Sequence, residues 1–297
     1  MNQEPTVPVE RPAGTPRVVV APITASDLER VGRFLHEHLD PRVPAETWTR
    51  TVRPAWCSPV DDHGHLLLEG DRVVGVYLAI HSERVLGGER RHVCNLAAWC
   101  VLDTHRAHGV RLLRAQLARP GVVFTDLSPS GTVPALNRRL GFTDLDTTTL
   151  LVPCLPLPTP GVRVVTSPAR IDALLEGRDR EIYRDHRDAA AARHVVLLVG
   201  GRPCYVMFRK VRRKGLPGFA TLLHVSDPEL LRRGGGALSR HLLRHRVVVL
   251  LAELRVAGYA PRLSRRLSDP RPKMFRGAGV APGDVDDLYS ELTSVPW

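Results

Sequence analysis

Lysine is nearly missing from this chain of 297 residues: it stands at positions 210, 214 and 273 alone. The net charge is nevertheless +11 and the pI near 10.2, so the basic surplus is almost entirely arginine. Apolar runs are short. None reaches the length of about 18 residues that a membrane-spanning helix needs, which removes a membrane role from expectation. The N-terminus lacks the basic-then-apolar pattern of a secretory signal, and Met1–Pro16, with four prolines, reads as a disordered lead-in. Cysteine is scarce as well. Cys57, Cys94, Cys100, Cys154 and Cys204 are odd in number and contain no C-x-x-C pair, which best suits a reduced, cytoplasmic setting. His and Cys never fall at metal-ligand spacing, so no metal site is expected.

What is present fits a globular chain with room for two ordinary domains, 43% hydrophobic and 25% charged. An arginine surplus favours anionic partners: a nucleotide cofactor, RNA such as a tRNA, or an acidic carrier protein. A GC-rich genome produces the same arginine- and alanine-rich composition.

Val18–Ala21 is a short strand candidate. Ser26-x-x-Glu29 has the form of a capping box, and Leu28, Val31, Phe34, Leu35 and Leu39 follow at helical spacing. A second helix is expected from Ala45 to about Val52. His65–Glu69 and Val73–Ile80 flank Gly70-Asp71 and read as a β-hairpin. Arg91–Leu102 is the next strand, Arg106–Leu117 a helix, Val122–Leu127 a strand, Ser128–Leu140 a polar and then helical segment, and Thr147–Val152 a further strand.

The stretch Asn95–Leu113 organises this half. Its strand ends at Val101-Leu102, a short polar break follows, and an amphipathic segment opens with Arg106-Ala107-His108-Gly109-Val110-Arg111. A helix start offers unpaired N–H groups and a partial positive charge, which suits a phosphate or pyrophosphate. Gly109, without a Cβ, would let that ligand approach the backbone.

These residues resemble the acyl-CoA-binding motif of the GNAT superfamily of N-acetyltransferases, Arg/Gln-x-x-Gly-x-Gly/Ala after a strand. Here the match is Arg106-x-x-Gly109-x-Arg111, with arginine in the last small position. Leu140-Gly141-Phe142, closing a helical segment, looks like the family's second motif. The resemblance spans roughly residues 17–152.

Cys154–Pro160 carries three prolines in seven residues and marks a boundary. The second half repeats the succession: a strand at Val162–Val165, helices at Ile171–Leu175 and Glu181–Ala192, and a hairpin of Val195–Val199 and Cys204–Phe208. A strand at Phe219–Val225, a helix at Glu229–Leu243 and a strand at Val247–Leu254 complete it. Arg232-x-x-Gly235-x-Ala237 fits the acyl-CoA pattern literally but falls later relative to its strand, and Gly234-Gly235-Gly236 also reads as a helix break. The expected architecture is α/β: two GNAT-like domains, each a mixed twisted β-sheet flanked by helices. They would occupy 17–155 and, in degenerate form, 156–297, after the tail 1–16.

The resemblance implies how an acyl group would move. Acetyl-CoA or another acyl-CoA would bind with its thioester carbonyl near the backbone of Val101 and Leu102, and with its pyrophosphate on the N–H groups from Arg106 through Ala107, His108, Gly109 and Val110 to Arg111. Arg111 would either add a charge-assisted contact or block the site. The family often places a glutamate base where this chain has Asn95, and a tyrosine acid where it has Asn137. Neither asparagine transfers a proton near neutral pH. A water held by Asn95, His108 or His65 is left as the base. Trp99 could line a pocket. Cys100 reads as a small buried hydrophobe, Tyr183–Asp188 as a solvated helix face, and Arg212-Arg213-Lys214 as a basic hairpin tip.

The function implied is N-acyl transfer from a CoA thioester to an amine of a small molecule or peptide, in a cleft between the halves. An aminoacyl-tRNA or an acyl carrier protein as donor is the first alternative. A non-catalytic pair that binds a nucleotide or a partner is the second.

Overall fold

Runs of apolar residues buried on both faces set the long central strands, and glycine pairs set where two of them turn. A computed structural model describes residues 17–56 and 62–297, so the expected lead-in at Met1–Pro16 and Cys57 lie outside it. The first half opens with β1 (Val18–Pro22) and α1 (Leu28–His38), whose face of Leu28, Val31, Phe34 and Leu35 is buried. The helix start is capped two residues earlier than the sequence suggested. The Thr24 N–H donates to Asp27 Oδ2 at 2.7 Å, and Ser26 and Glu29 do not form the box. Leu39 lies just past the helix and is exposed. Then come α2 (Ala45–Thr51), β2 (Gly64–Glu69), β3 (Arg72–Leu86) and β4 (Glu89–Val101). The last two form one long hairpin around Gly87-Gly88, in which β3 runs six residues past the expected 73–80 and β4 nearly matches the expected 91–102. Next are α3 (Gly109–Leu117), β5 (Val123–Asp126), α4 (Val133–Arg139), β6 (Thr143–Asp144) and β7 (Thr149–Pro153).

The second half runs β8 (Val162–Val165), α5 (Pro168–Leu174), α6 (Gly177–His186), β9 (Ala192–Val199), β10 (Arg202–Arg213), β11 (Leu216–Val225) and α7 (Pro228–Arg244). It continues with β12 (Val249–Glu253) and α8 (Leu254–Ala257). Beyond residue 254 the sequence reading places no element. There the chain forms β13 (Arg265–Arg266), β14 (Met274–Arg276) and α9 (Glu291–Ser294).

Two seven-stranded mixed sheets result, with orders β1-β2-β3-β4-β5-β14-β6 and β8-β9-β10-β11-β12-β7-β13. The orders correspond position by position, and each sheet contains one parallel pair, β4 with β5 and β11 with β12. The sixth position is exchanged. Thr149–Pro153, expected to close the first sheet, is hydrogen-bonded to β12 in the second, with Leu151 opposite Leu251. Met274–Arg276 fills the matching place in the first sheet, between β5 and β6. Strand pairing therefore crosses the proline-rich division near 155 in both directions. Helices α1 and α2 cover one face of the first sheet and α3 the other, while α7 covers the far face of the second.

Between the sheets lies the segment 285–297. Tyr289 reaches over from it at φ 57°, a backbone region that disfavours a bulky side chain, and is held by its surroundings. Its N–H donates to His186 Nε2 at 3.1 Å, its hydroxyl donates to Asp185 at 2.7 Å, and Arg84 lies 5.0 Å over its ring. Arg209, buried on β10, donates to the carbonyls of Leu292 and Trp297, both at 3.0 Å. Val295 enters the core under α1 and α2. A buried ionic square fixes the base of this segment. Lys273, one of the three lysines, bonds Glu253 at 2.5 Å and Asp287 at 2.6 Å, and Arg255 bonds the same two carboxylates.

Candidate active site

The parallel pair β4–β5 is short because the two strands part. Their register covers Val93 with Val123, Cys94 with Phe124 and Asn95 with Thr125, and then stops. On its other edge β4 stays paired with β3 as far as Val101, but with one extra residue: Leu96 faces Ala79 and Trp99 faces Tyr77. That bulge at Ala97-Ala98 turns the strand away from β5. From Leu96 to Val101 no strand among the described residues pairs with the β5-side edge. A backbone edge of this kind can hydrogen-bond an extended ligand arm laid along it.

The expected phosphate loop is more tightly wound than its sequence suggested. Asp103–His108 forms a 3-10 helix running straight into α3. The N–H of His105 donates to Leu102 O at 2.8 Å, and that of Gly109 to Arg106 O. Amides bonded in this way are not free for a ligand, so the open helix start moves back to Asp103 and Thr104. Arg106 is exposed and pairs with Asp103 at 2.8 Å. Ala107 is exposed, and Val110 half-buried. Arg111 turns aside, donating to Val18 O at 3.0 Å with His108 Nδ1 3.3 Å from the same nitrogen. Gly109 is buried against the strand. A Cβ there would lie 3.4 Å from Trp99 Cζ2 and 3.6 Å from Val101, which is ordinary contact. Gly109→Ala is therefore expected to keep the fold and to raise stability by up to about 1 kcal/mol, the usual penalty of glycine against alanine in a helix. Thermal melting checks this, and a loss of similar size would mean that α3 cannot give way against Trp99.

Asn95 and Asn137 are both fully buried, at 1% and 0% exposure, and each stands against a carboxylate. The Asn95 amide donates to Thr125 Oγ1 at 3.1 Å and Thr125 O at 3.4 Å, while its Oδ1 accepts the Glu291 N–H at 3.1 Å. The Asn95 side chain is thus tied to Thr125 and to the segment that carries Glu291. Glu291 Oε1 accepts the Ser128 hydroxyl at 2.6 Å, and Oε2 has no partner among the described residues. Burial pushes the Glu291 carboxyl up to about 7, and the nearby Asp126 charge adds to that against the Ser128 hydrogen bond. Asn137 donates to Asp126 Oδ2 at 2.8 Å, and burial brings the Asp126 carboxyl up to about 6. Sequence reading missed Glu291, Asp126 and Ser128. Nothing local marks Glu291: it stands 196 residues from Asn95 in a segment where the sequence reading places no element.

The other candidates are not brought to this point. His65 Nδ1 lies 2.6 Å from Gln116 Oε1 under α3. Trp99 stacks on Tyr77, with centroids 4.8 Å apart. Burial raises the Cys100 thiol to about 11, which keeps it protonated and inert. The Tyr183–Asp188 group is only half solvated, since Tyr183 and His186 belong to the core between the sheets. In the second half β11 also bulges and leaves β12 after Thr221. However, α7 starts at once, with Asp227 accepting the Leu230 N–H at 2.9 Å, so Arg232, Gly235 and Ala237 lie inside the helix. The helix is not broken at Gly234–Gly236. A Cβ on Gly234 would come within 3.0 Å of Leu197, and one on Gly236 within 2.4 Å of Thr159, so these glycines let α7 approach β9 and the proline-rich link. Among the described residues no group of three His, Cys, Asp or Glu side chains could hold a metal, and no helix is long and apolar enough to cross a membrane.

No family model matches the sequence, and no curated protein matches it. Solved structures do resemble it. A GCN5-related N-acetyltransferase from Anabaena variabilis superposes with a TM-score of 0.56 at 13% identity, covering 88% of this chain and 72% of that one. One from Kribbella flavida gives 0.55 at 17% identity, over 88% and 71%. Eis1 from Mycobacterium abscessus gives 0.52 at 16% identity, over 88% and 74%. At such identities the likeness is one of fold, and this chain has the α/β fold of the GCN5-related N-acetyltransferases.

Proposed function

We propose that the chain is an acyl-CoA-dependent N-acyltransferase acting on an amine of a small molecule or peptide. The observation that carries this reading is the opening of β4 from β5 beyond Asn95, with the bulged edge Leu96–Val101 unpaired beside it. That edge fits the extended arm of a CoA thioester, acetyl-CoA being the simplest donor. The pyrophosphate seat fits only in part, through Asp103 and Thr104 N–H groups and the Arg106 side chain. Bound there, the donor would supply the activated acyl carbon.

Proton handling falls to Glu291. Its carboxylate takes the proton that the amine nitrogen loses as the carbon–nitrogen bond forms and the carbon–sulfur bond breaks. It then returns that proton to the departing thiolate. A base with a pKa near 7 is well matched to this task, and Asn95 and Ser128 hold it in place.

A second reading has its own observation. Asn95, Asp126, Asn137 and Glu291 are all at or below 4% exposure, and the amides of His105 and Gly109 are used within the chain. Such closure suits a GNAT-like pair that binds a partner without turnover. Titrating acetyl-CoA by calorimetry and following thiol release with a panel of amines separates the two. Saturable binding with amine-dependent thiol release is expected. Binding without release from any amine would favour the second reading, and no binding at all would remove the first.

A further inference from the structure

A groove of about 380 Å³ opens on the second sheet where β10 and β11 meet the end of α7. Lys210, Arg212, His245 and Arg246 line it with nitrogen, and Phe219 and Trp297 give it flat apolar sides. No Asp or Glu side chain among the described residues lines it. Arg42 stands at its edge but is already tied to Asp40 at 2.7 Å. Lys210, Arg212 and Arg246 form no ion pair among the described residues. Uncompensated cations gathered in a concavity repel one another and focus a positive potential on whatever enters it.

Arg246 adds an independent observation. It ends α7 at φ 60°, in the left-handed region, where its N–H donates to Leu243 O at 2.9 Å and that of Val247 to Leu242 O at 2.9 Å. Helices usually place glycine at such an end, because a Cβ there is strained. A cation kept in a strained position at the rim of an uncompensated basic groove is the pattern of a ligand contact rather than of stability.

We propose that this groove binds a nucleotide carrying at least two phosphates, with the phosphates on Lys210, Arg212 and Arg246 and the base against Phe219 or Trp297. The volume suits a small molecule of that size. The groove contains no residue of β4, β5 or the 102–111 turn, so the inference does not depend on acyl transfer.

Calorimetry on the full chain at low ionic strength tests it with ATP, ADP, inorganic pyrophosphate and adenosine. ATP, ADP and pyrophosphate are expected to bind and adenosine not. Arg246→Gly and Lys210→Ala should each weaken ATP by about tenfold, the scale of one lost charge-assisted contact. Arg246→Gly also relieves the backbone, so its Tm should stay within about 2 °C of the parent. Arg187→Ala, just past the end of α6 and outside the groove, should change nothing. Three results would overturn the proposal: no saturable heat from ATP or pyrophosphate, ATP affinity unchanged in both groove variants, or a single-stranded RNA oligonucleotide bound far more tightly than ATP, which would make the groove part of an RNA surface.

Discussion

Glu291→Gln is expected to lower kcat for acyl transfer by about 10²–10⁴ while leaving the protein folded. Glutamine keeps the shape of the side chain and can still accept the Ser128 hydroxyl, but it cannot take a proton from an amine. The parent rate should rise as pH climbs through about 7, where the carboxylate ionises, and the variant should lose that limb. Stability runs the other way. The folded pKa lies above the ordinary glutamate value near 4.3, so the native state holds a proton that the unfolded chain has released between the two. The stabilisation is complete below about pH 4 and is lost as pH rises through 7. Asp126, raised to about 6, acts with the same sign in both proteins. The Tm of Glu291→Gln should therefore overtake that of the parent between pH 5 and pH 8. Full activity in a stably folded Glu291→Gln would remove Glu291 as the base and turn attention to Asp126.

Asp287→Ala should be the most damaging single change to stability, by about 3–5 kcal/mol. Asp287 has no exposure, and its two oxygens accept from Lys273 and Arg255. Burial alone would raise its carboxyl, but the Lys273 and Arg255 charges outweigh that and hold it below the ordinary aspartate range. Removing it leaves two buried cations sharing Glu253 alone. The loss should spread beyond the square, because Lys273 immediately precedes β14 and Asp287 anchors the segment that carries Tyr289 and Glu291. A loss well below about 3 kcal/mol, with no change in proteolysis of 270–297, would show that the exchanged strand is held mainly by its ladder to β5 and β6.

Much of this architecture is legible in the sequence, because it is written in short-range periods. The face Leu28, Val31, Phe34 and Leu35, the hairpin around Gly70-Asp71, and the repeat of the same succession after Pro160 all place their elements in the structure. What escapes is non-local. The short apolar run of Thr149–Pro153 says that it is a strand but not whose, and nothing in Met274–Arg276 says that it completes the sheet begun at Val18. The site shows the same limit. The strand–turn–helix around Asn95–Leu113 is visible, and so is the absence of a base at 95 and an acid at 137. The carboxylates that stand against those asparagines come from the end of β5 and from α9, and only folding brings them there. The turn at 103–108 is also tighter than its sequence suggests, because its backbone closes on itself, His105 N–H to Leu102 O and Gly109 N–H to Arg106 O.

Hydrogen exchange of the backbone amides with and without saturating acetyl-CoA tests the acyl-donor site most directly. The unpaired edge of β4 should exchange in the free protein and become protected when the donor arm is laid along it. Protection is predicted for amides between Leu96 and Val101 and at Asp103 and Thr104, independently of any response of the groove at Arg246 to the ADP part of CoA. Protection confined to the second half, or no change along β4 while acetyl-CoA is bound, would contradict the account.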